Sequence, residues 1–239
     1  MSRFLPASIL LPRGVDMKKW AVIACDQFTS EPEYWERVRA FVGAAPSTLN
    51  LILPEAELKR EPEKRIAAIE ACMAAYERAG LFARYENCFV YVERSLSDGT
   101  LRRGLVGMLD LEDYDYSPRT DAPVRATERT VVERIPPRVK IREHASLELP
   151  HVLLLCDDEE NAVFAPLEDE KGELLYDFDL MEGGGHIRGW LLHDGAARAV
   201  SARLEAYERD ARERFAALTD TPMLYAVGDG NHSLATAKA

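Results

Sequence analysis

The sequence lacks the features by which membrane-spanning and secreted proteins are recognised. No uninterrupted apolar run approaches the ~18 residues of a membrane span. Pro6 and Pro12 break the apolar stretch near the N-terminus, which leaves it too short for the core of a signal peptide. The four cysteines lie far apart and form neither a C-x-x-C pair nor a zinc-ligand spacing. These absences predict a protein of the reducing cytoplasm with no membrane partner.

Positive charge is also scarce. The 30 Lys and Arg residues are outnumbered by 41 Asp and Glu residues, so the formal net charge is −11 and the isoelectric point is about 5.0. Because a nucleic-acid-binding surface needs clustered positive potential, this balance argues against a nucleic-acid partner. Hydrophobic residues make up 47% and charged residues 30% of the chain, which is typical of a soluble globular protein.

Internal repeats, Gly/Ser-rich linkers and low-complexity tracts are absent as well. The 239 residues are enough for one large domain or two small ones. We predict a single domain over 1–239, with 113–124 as the candidate point of subdivision. The last predicted helix, 231–239, is marginal without tertiary support because it is so short. We therefore expect the natural protein to continue beyond Ala239, and an intact native mass of 26.9 kDa would contradict this.

Short apolar runs and helical periodicities alternate along the chain, which predicts an α/β or α+β fold with a mixed sheet and flanking helices. The first helix is predicted to begin with a capping box of Ser30 and Glu33, with Pro32 in its first turn. Residues 97–99 are predicted to turn a hairpin, and 181–189 are predicted to be a glycine-rich loop. The predicted strands are 20–25, 49–53, 88–94, 101–109, 151–156, 174–180 and 223–228, and the remaining predicted helices are 63–79, 139–148, 196–218 and 231–239.

The most informative segment is 225–237, where a predicted strand feeds an Asp229–Gly230 turn into a helix. A helix start presents free backbone N–H groups and the positive end of the helix dipole, which suits a phosphate. Asp229 and His232 would lie at that start, with Asn231 and Ser233 nearby as hydrogen-bonding groups. The alternative is that Asp229 or Asn231 merely caps the helix and that His232 packs.

This segment, together with 24–35, 126–138 and 149–152, resembles the family called domain of unknown function 1015 over essentially the whole chain. The run from Asp229 to His232 is also similar to the Asp-Gly-His-His-Arg type motif of the ParB and sulfiredoxin superfamily. That superfamily includes a nucleotide-dependent free-serine kinase, the ATP-using sulfiredoxins and the CTP-binding ParB proteins. The resemblance implies a ParB/sulfiredoxin-like core that binds ATP, ADP or CTP with Mg²⁺ and is a candidate for phosphoryl transfer. Ser233 stands where the usual Arg would hold phosphate.

Three further segments are candidate parts of the site. In Thr127–Thr130, Glu128 can act as general base or metal ligand while Arg129 or Arg138 holds an anion, and the alternative is a solvated charged loop. In Glu182–Arg188, the glycines including Gly185 allow close approach of a ligand, and His186 with Arg188 could complete an anion site; a hinge or lid is the alternative.

The third segment, 25–29, contributes Asp26 and Thr29 as polar groups, whereas Cys25 is expected to be a buried structural thiol. Histidines 144, 151 and 193 lack metal-ligand spacing and are interpreted as packing or surface residues.

The predicted site gathers catalytic and binding residues from all four segments. The catalytic residues are Glu128, Asp229 and His232, and the binding residues are Asp26, Thr29, Arg129, Gly185, His186, Asn231 and Ser233.

The hypothesis is a phosphate- or nucleotide-binding enzyme that acts on a small molecule. One alternative is a nucleotide- or metabolite-sensing module without turnover, and another is a hydrolase that holds a divalent metal with Asp229, His232, His186 and Glu128. The partner would be a small molecule or nucleotide, and a homo-oligomer is compatible with the sequence.

Overall fold

The computed structural model describes residues 2–58, 61–149 and 151–239. The strands are β1 (Phe4–Leu5), β2 (Ala7–Pro12), β3 (Phe82–Ser95), β4 (Leu101–Val106), β5 (Met108–Leu109), β6 (Tyr114–Asp115), β7 (Val124–Ala126), β8 (Leu153–Leu155), β9 (Glu173–Asp179), β10 (His186–Leu192) and β11 (Tyr225–Asp229). The helices are α1 (Met17–Trp20), α2 (Pro32–Val42), α3 (Pro62–Arg78), α4 (Ile135–Arg142), α5 (Asp194–Phe215) and α6 (Asn231–Lys238).

Two sheets carry most of the architecture. The larger has the antiparallel order β2-β3-β10-β9, with β4 also pairing with β3. The smaller has the order β6-β7-β11-β8; its β6-β7 and β7-β11 pairs are parallel, and β8 is antiparallel to β11. β1 and β5 form a separate two-stranded sheet. This combination of mixed sheets and helices confirms the predicted α/β or α+β class, whereas a ParB/sulfiredoxin-like core stays a prediction.

The largest core cluster lies between the two sheets and helix α5. Tyr91 and Trp190 stack across β3 and β10 with ring centroids 5.6 Å apart, and Tyr207 of α5 packs on Tyr225 of β11. Two smaller clusters pack beside it. One includes Trp20, Leu51, Leu53, Ile69 and Met73, and the other includes Tyr34, Trp35, Val38 and Val42.

Several sequence predictions are confirmed. The hairpin of β3 and β4 forms with a turn at 96–100, α3 and α5 lie close to their predicted ranges, and β11 leads into α6 as expected. Residues 113–124 include β6 and reach the first residue of β7, and these strands pair in parallel with Tyr114 opposite Val124. The division of the chain into domains stays a prediction.

Two predicted strands are wrong. In place of the strand 20–25, Met17–Trp20 is a short helix whose start is capped by the Asp16 carboxylate, which accepts a hydrogen bond from the Lys18 amide at 3.0 Å. In place of the strand 49–53, Thr48–Leu51 is a 3-10 helix capped by the Ser47 hydroxyl. Trp20, Leu51 and Leu53 are buried and the other apolar residues of the two runs are half-buried, but a short apolar run does not distinguish a strand from a helical turn. The Asp16 and Ser47 caps stabilise the helical turns at 17–20 and 48–51, and residues 21–24 have no regular secondary structure.

The predicted helix boundaries also need correction. Helix α2 forms, but its capping residue is Glu31 with no side-chain cap, so the Ser30–Glu33 capping box does not. Pro32 at the helix start has no N–H that needs a cap. Helix α4 covers Ile135–Arg142 instead of 139–148, because the Pro136–Pro137 pair fits the first turn of a helix.

Strand β10 is the largest element that the sequence patterns did not predict. The glycine-rich loop ends at Gly185, and His186–Leu192 forms a central strand of the larger sheet instead of continuing as a hinge before α5. A glycine in mid-strand is a weak strand signal, and here Gly189 makes room for a ring: a Cβ at this position would lie 2.1 Å from the Tyr176 side chain. No helix within the described ranges has both the length and the apolar character needed to cross a membrane.

Candidate functional site

The parallel pairing of β7 and β11 brings two of the predicted segments to one edge of the smaller sheet. Thr127 follows β7, and its hydroxyl donates to the Val227 carbonyl in β11 at 2.6 Å. Further along, the Val131 amide donates to Nε2 of His232 at 3.0 Å. Because carboxyl ends of parallel strands meet at the same edge, the segments 127–131 and 229–233 lie side by side.

Gly230 sets the geometry of the turn into α6. Its φ is +83°, in the left-handed region, and a Cβ there would lie 2.8 Å from the His151 carbonyl oxygen. The first intrahelical bond runs from the Leu234 amide to the Gly230 carbonyl at 2.9 Å, so the amides of residues 231–233 precede the hydrogen-bonding ladder of the helix. No side chain caps this described helix start, and Asp229 instead accepts from the adjacent Gly230 amide at 2.8 Å.

Four charged side chains from three segments act on His232. Burial lowers the pKa of His232 from its ordinary value, the positive charges of Arg138 and Arg134 lower it further, and the carboxylates of Glu128 and Asp26 oppose this. The imidazole is therefore neutral near pH 7. Since its Nε2 accepts from the Val131 amide, the ring proton resides on Nδ1.

Arg138 of α4 links this cluster to the Cys25–Asp26 segment through Glu55, whose amide donates to the Cys25 carbonyl at 2.8 Å. Its guanidinium forms an ion pair with Glu55, and the two side chains are only 14% and 16% exposed. Burial lowers the pKa of Arg138, whereas Cys25 and Asp26 act to raise it. Burial and then the charge of Asp26 raise the pKa of the Cys25 thiol to about 11. The thiol is thus protonated at neutral pH, and Asp26 is the ionisable group that this segment offers to a ligand.

Three buried side-chain oxygen atoms in this region have no hydrogen-bond partner among the described residues, namely Oδ1 of Asp26, Oγ1 of Thr130 and Oδ1 of Asn231. Asn231 is 6% exposed. A buried acceptor without a donor is costly, so each of these atoms favours a ligand that brings a donor such as a hydroxyl group.

The structure adds one residue that the sequence reasoning assigned to packing. Nε2 of His151 lies within hydrogen-bond distance of the Ser233 hydroxyl, while its Nδ1 lies 3.1 Å from the Leu149 carbonyl oxygen. Arg142 of α4 also donates to the main-chain carbonyl of Ser233 at 2.8 Å. His151 is 82 residues from Ser233, so only the antiparallel pairing of β8 with β11 could have revealed the pair.

Other predicted residues lie apart from this cluster. His186 stands at the start of β10 and contacts Asp177 at 2.7 Å and Asp179 at 2.8 Å, and hydrogen bonding to Asp179 raises its pKa. Gly185 has a φ of +90°, and a Cβ there would lie 2.1 Å from the Ser95 carbonyl oxygen, so it serves close packing against β3.

Thr29 and Arg129 are exposed. Within the described part of the chain, no hydrogen bond or ion pair joins either of them to the residues around His232.

The four side chains expected to hold a divalent metal do not lie together. Among residues 2–58, 61–149 and 151–239, no group of three or more His, Cys, Asp or Glu side chains is arranged to hold a metal ion. Asp229, His232 and Glu128 lie at the edge of the smaller sheet, whereas the ion-pair partners of His186 lie on β9 in the larger sheet.

Comparison with known proteins places the chain in a family. No curated protein and no solved structure matches it significantly. One family model matches residues 10–239, which is nearly the whole chain. The chain therefore belongs to the family described as protein of unknown function DUF1015.

Proposed function

We propose that this protein binds a phosphorylated small molecule or a nucleotide at the start of α6 and transfers the phosphoryl group to a hydroxyl of a second small molecule. The observation that carries the proposal is the junction at which the Val131 amide and the Arg142 guanidinium contact the start of α6, together with the grouping of Asp26, Glu128, Arg134 and Arg138, whose charges act on His232. Phosphoryl transfer needs positive charge for the phosphate and a carboxylate for the attacking hydroxyl, and this grouping contains both.

The phosphate would lie against the amides of residues 231–233, where the helix dipole favours negative charge. Arg134 is exposed and does not take part in an ion pair with any described residue, so its guanidinium is available for a bidentate contact with phosphate oxygens. Arg138 is held by Glu55 and would add long-range positive potential. This division of roles replaces the single Arg that the ParB-type motif has at the position of Ser233.

The acceptor hydroxyl would donate its hydrogen bond to Oδ1 of Asp26, which is buried without a partner among the described residues. Glu128 is exposed at the same edge and would take the hydroxyl proton as the oxygen attacks phosphorus. The neutral His232 ring holds the 127–131 segment in place through the Val131 amide. His232 would thus act by positioning the base.

A magnesium ion fits the donor chemistry of this edge. Asp229 carries an exposed carboxylate two residues before the helix start, and a carboxylate beside phosphate oxygens needs a cation between them. Magnesium is usually held by one or two carboxylates together with substrate phosphates and water. When bound, the ion would neutralise phosphate charge, and Asp229 is the residue that would hold it.

Calorimetric titration with ATP, ADP and CTP in the presence of MgCl₂ tests the binding step. We expect the Arg134→Ala variant to bind about tenfold or more weakly, because charge-assisted bonds contribute about 1.5–3 kcal/mol. Glu128→Gln should bind normally but lose transfer to hydroxyl compounds. Arg209→Ala and Glu213→Gln, both exposed on α5, are the matched controls. The proposal fails if none of the three nucleotides binds or if Arg134→Ala binds like the wild type.

The second candidate is a sensor that binds the same ligand without turnover. It is favoured by the engagement of His232 with the Val131 amide, since the accepting nitrogen of this ring is already occupied by the main chain. Saturable nucleotide binding with no release of ADP or CDP, across a panel of hydroxyl compounds, would support the sensor over the enzyme.

We also propose a cytoplasmic location and a small-molecule partner. The four cysteines all lie in the described ranges and carry free thiols, and the net charge of −11 opposes association with nucleic acid. A fluorescent fusion and a nucleic-acid filter-binding assay at low salt would test the two statements.

A further inference from the structure

Ser233 and His151 form a hydrogen-bonded pair whose proton positions follow from the geometry. Nδ1 of His151 lies 3.1 Å from the Leu149 carbonyl oxygen, and a carbonyl can only accept, so Nδ1 carries the hydrogen. In the neutral ring, Nε2 therefore holds a lone pair, and the Ser233 hydroxyl donates to it. A serine that donates to an imidazole whose other nitrogen is held by a fixed acceptor is the arrangement of an activated nucleophile.

The pair lies where the proposed phosphate would bind. Ser233 is in the first turn of α6, and its own amide belongs to the group that precedes the hydrogen-bonding ladder. Arg142 places a positive charge on the carbonyl of the same residue. Ser233 itself is 6% exposed, but Asp229 is exposed and His232 is half-buried, so the helix start reaches the protein surface.

We propose that Ser233 is a nucleophile that takes the phosphoryl group onto its own Oγ, with His151 as its general base. The inference rests on the proposed function for the identity of the ligand, a phosphate ester or anhydride. In the step, the bond between Ser233 Oγ and phosphorus forms and the bond between phosphorus and the leaving oxygen breaks. The serine proton passes to Nε2 of His151, which gives it to the leaving oxygen. The products are phosphoserine and the free alcohol or nucleoside diphosphate.

The positive charge needed for phosphate comes from Arg134 and Arg138, and position 233 supplies a reacting atom. The phosphoserine would then pass its phosphoryl group to the acceptor hydroxyl at Asp26 and Glu128. His151 thus touches a reacting group, whereas His232 holds the neighbouring loop.

An electrophilic phosphorus reagent tests the nucleophile directly. The folded chain is treated with a fluorophosphonate, in which serine attack forms the bond between Oγ and phosphorus and releases fluoride, and the labelled peptide is mapped by tandem mass spectrometry. We expect the label on Ser233 of the wild type, no label at this position in Ser233→Ala, and at least a tenfold slower reaction in His151→Gln. Ser97→Ala, in the exposed hairpin turn, should react like the wild type.

Mapping on the wild type keeps the test decisive even if a variant is unstable. Absence of label, or label spread over exposed serines and unchanged in Ser233→Ala, would mean that the pair is only a structural hydrogen bond. Nucleotide binding in calorimetry without labelling of Ser233 contradicts this inference alone. Labelling of Ser233 in a chain that binds no phosphate compound contradicts the proposed function and the phosphoryl substrate.

Discussion

At the scale of single residues, Gly230 determines how α6 begins. Its left-handed backbone turns the chain from β11 into the helix, and the space that a side chain would need is taken by the His151 carbonyl oxygen. The sequence could predict this turn because Asp-Gly after a strand is a strong local signal. It could not predict that the same glycine also packs against the residue that contacts Ser233.

Gly230→Ala should therefore destabilise the protein. The left-handed conformation costs a non-glycine residue about 1–2 kcal/mol, and the 2.8 Å approach to a backbone oxygen adds to this, so we expect a loss of about 2–4 kcal/mol. Urea denaturation measures it. Gly228→Ala is the control, because its Cβ would meet only the movable side chain of Leu155; an equal loss in both variants would contradict the explanation.

His232 gives the site a pH dependence whose sign follows from its pKa. The folded pKa lies below the ordinary histidine value of about 6.5, so as the pH falls the unfolded chain binds this proton first, and stability is lost below about pH 6.5. In His232→Gln, where the amide oxygen can still accept from Val131, we expect a smaller loss of unfolding free energy between pH 7 and pH 5 than in the wild type. An equal loss in both proteins would contradict this assignment.

The same electrostatic account predicts that the pKa of His232 changes when one neighbouring charge is removed. Removing the charge of Arg134, one of the two arginines that lower the pKa of His232, should raise this pKa in Arg134→Met. NMR titration of the imidazole carbon-bound protons measures the shift, and Arg209→Met on α5 should leave it unchanged. A His232 pKa that does not rise would mean that Arg134 lies too far from the site to hold phosphate.

At the scale of elements, helix α5 fixes the N-terminal segment and β11 through one buried carboxylate. Glu208 is 1% exposed and accepts hydrogen bonds from the Ser2 hydroxyl at 2.7 Å, the Arg3 amide at 2.6 Å and the Tyr225 hydroxyl at 3.1 Å. Since β11 leads into α6, this carboxylate also supports the strand that carries the site. A buried carboxylate is stable only when such donors surround it.

Glu208→Gln should lower the free energy of unfolding by about 1.5–3 kcal/mol, because a hydrogen bond to a charged group contributes about that much. Chemical denaturation measures this loss. Glu213→Gln, which changes an exposed residue of the same helix, is the control. Hydrogen exchange should also become faster in β1 and β11. A loss below about 0.5 kcal/mol would show that the carboxylate is not needed.

The elements also show where sequence patterns succeed. Long periodic segments such as α3 and α5 are predictable because many residues repeat the same apolar spacing. The strands predicted at 20–25 and 49–53 do not form, because Asp16 caps a helical turn that ends at Trp20 and Ser47 caps one that ends at Leu51. Strand β10 was missed because its glycine serves the Tyr176 ring, which is a contact between strands.

At the scale of the whole molecule, the site is produced by strand order more than by any one motif. Asp26, Glu128 and His232 come from three distant segments, yet all are close enough for their charges to interact. The sequence supplied these residues as candidates, and the parallel pairing of β7 with β11 brings two of the segments together. His186 was also a candidate because it follows a run of glycines, but its strand belongs to the other sheet.

The most direct measurement is an NMR titration of the isotope-labelled chain with ATP and CTP in the presence of MgCl₂, followed through the backbone amides. A phosphate at the start of α6 predicts the largest shifts at residues 231–233, with smaller shifts near Asp26 and in 128–138, and weaker shifts in Arg134→Ala. Shifts confined to other surfaces, or no shift at millimolar nucleotide, would contradict a phosphate-binding site at the end of β11.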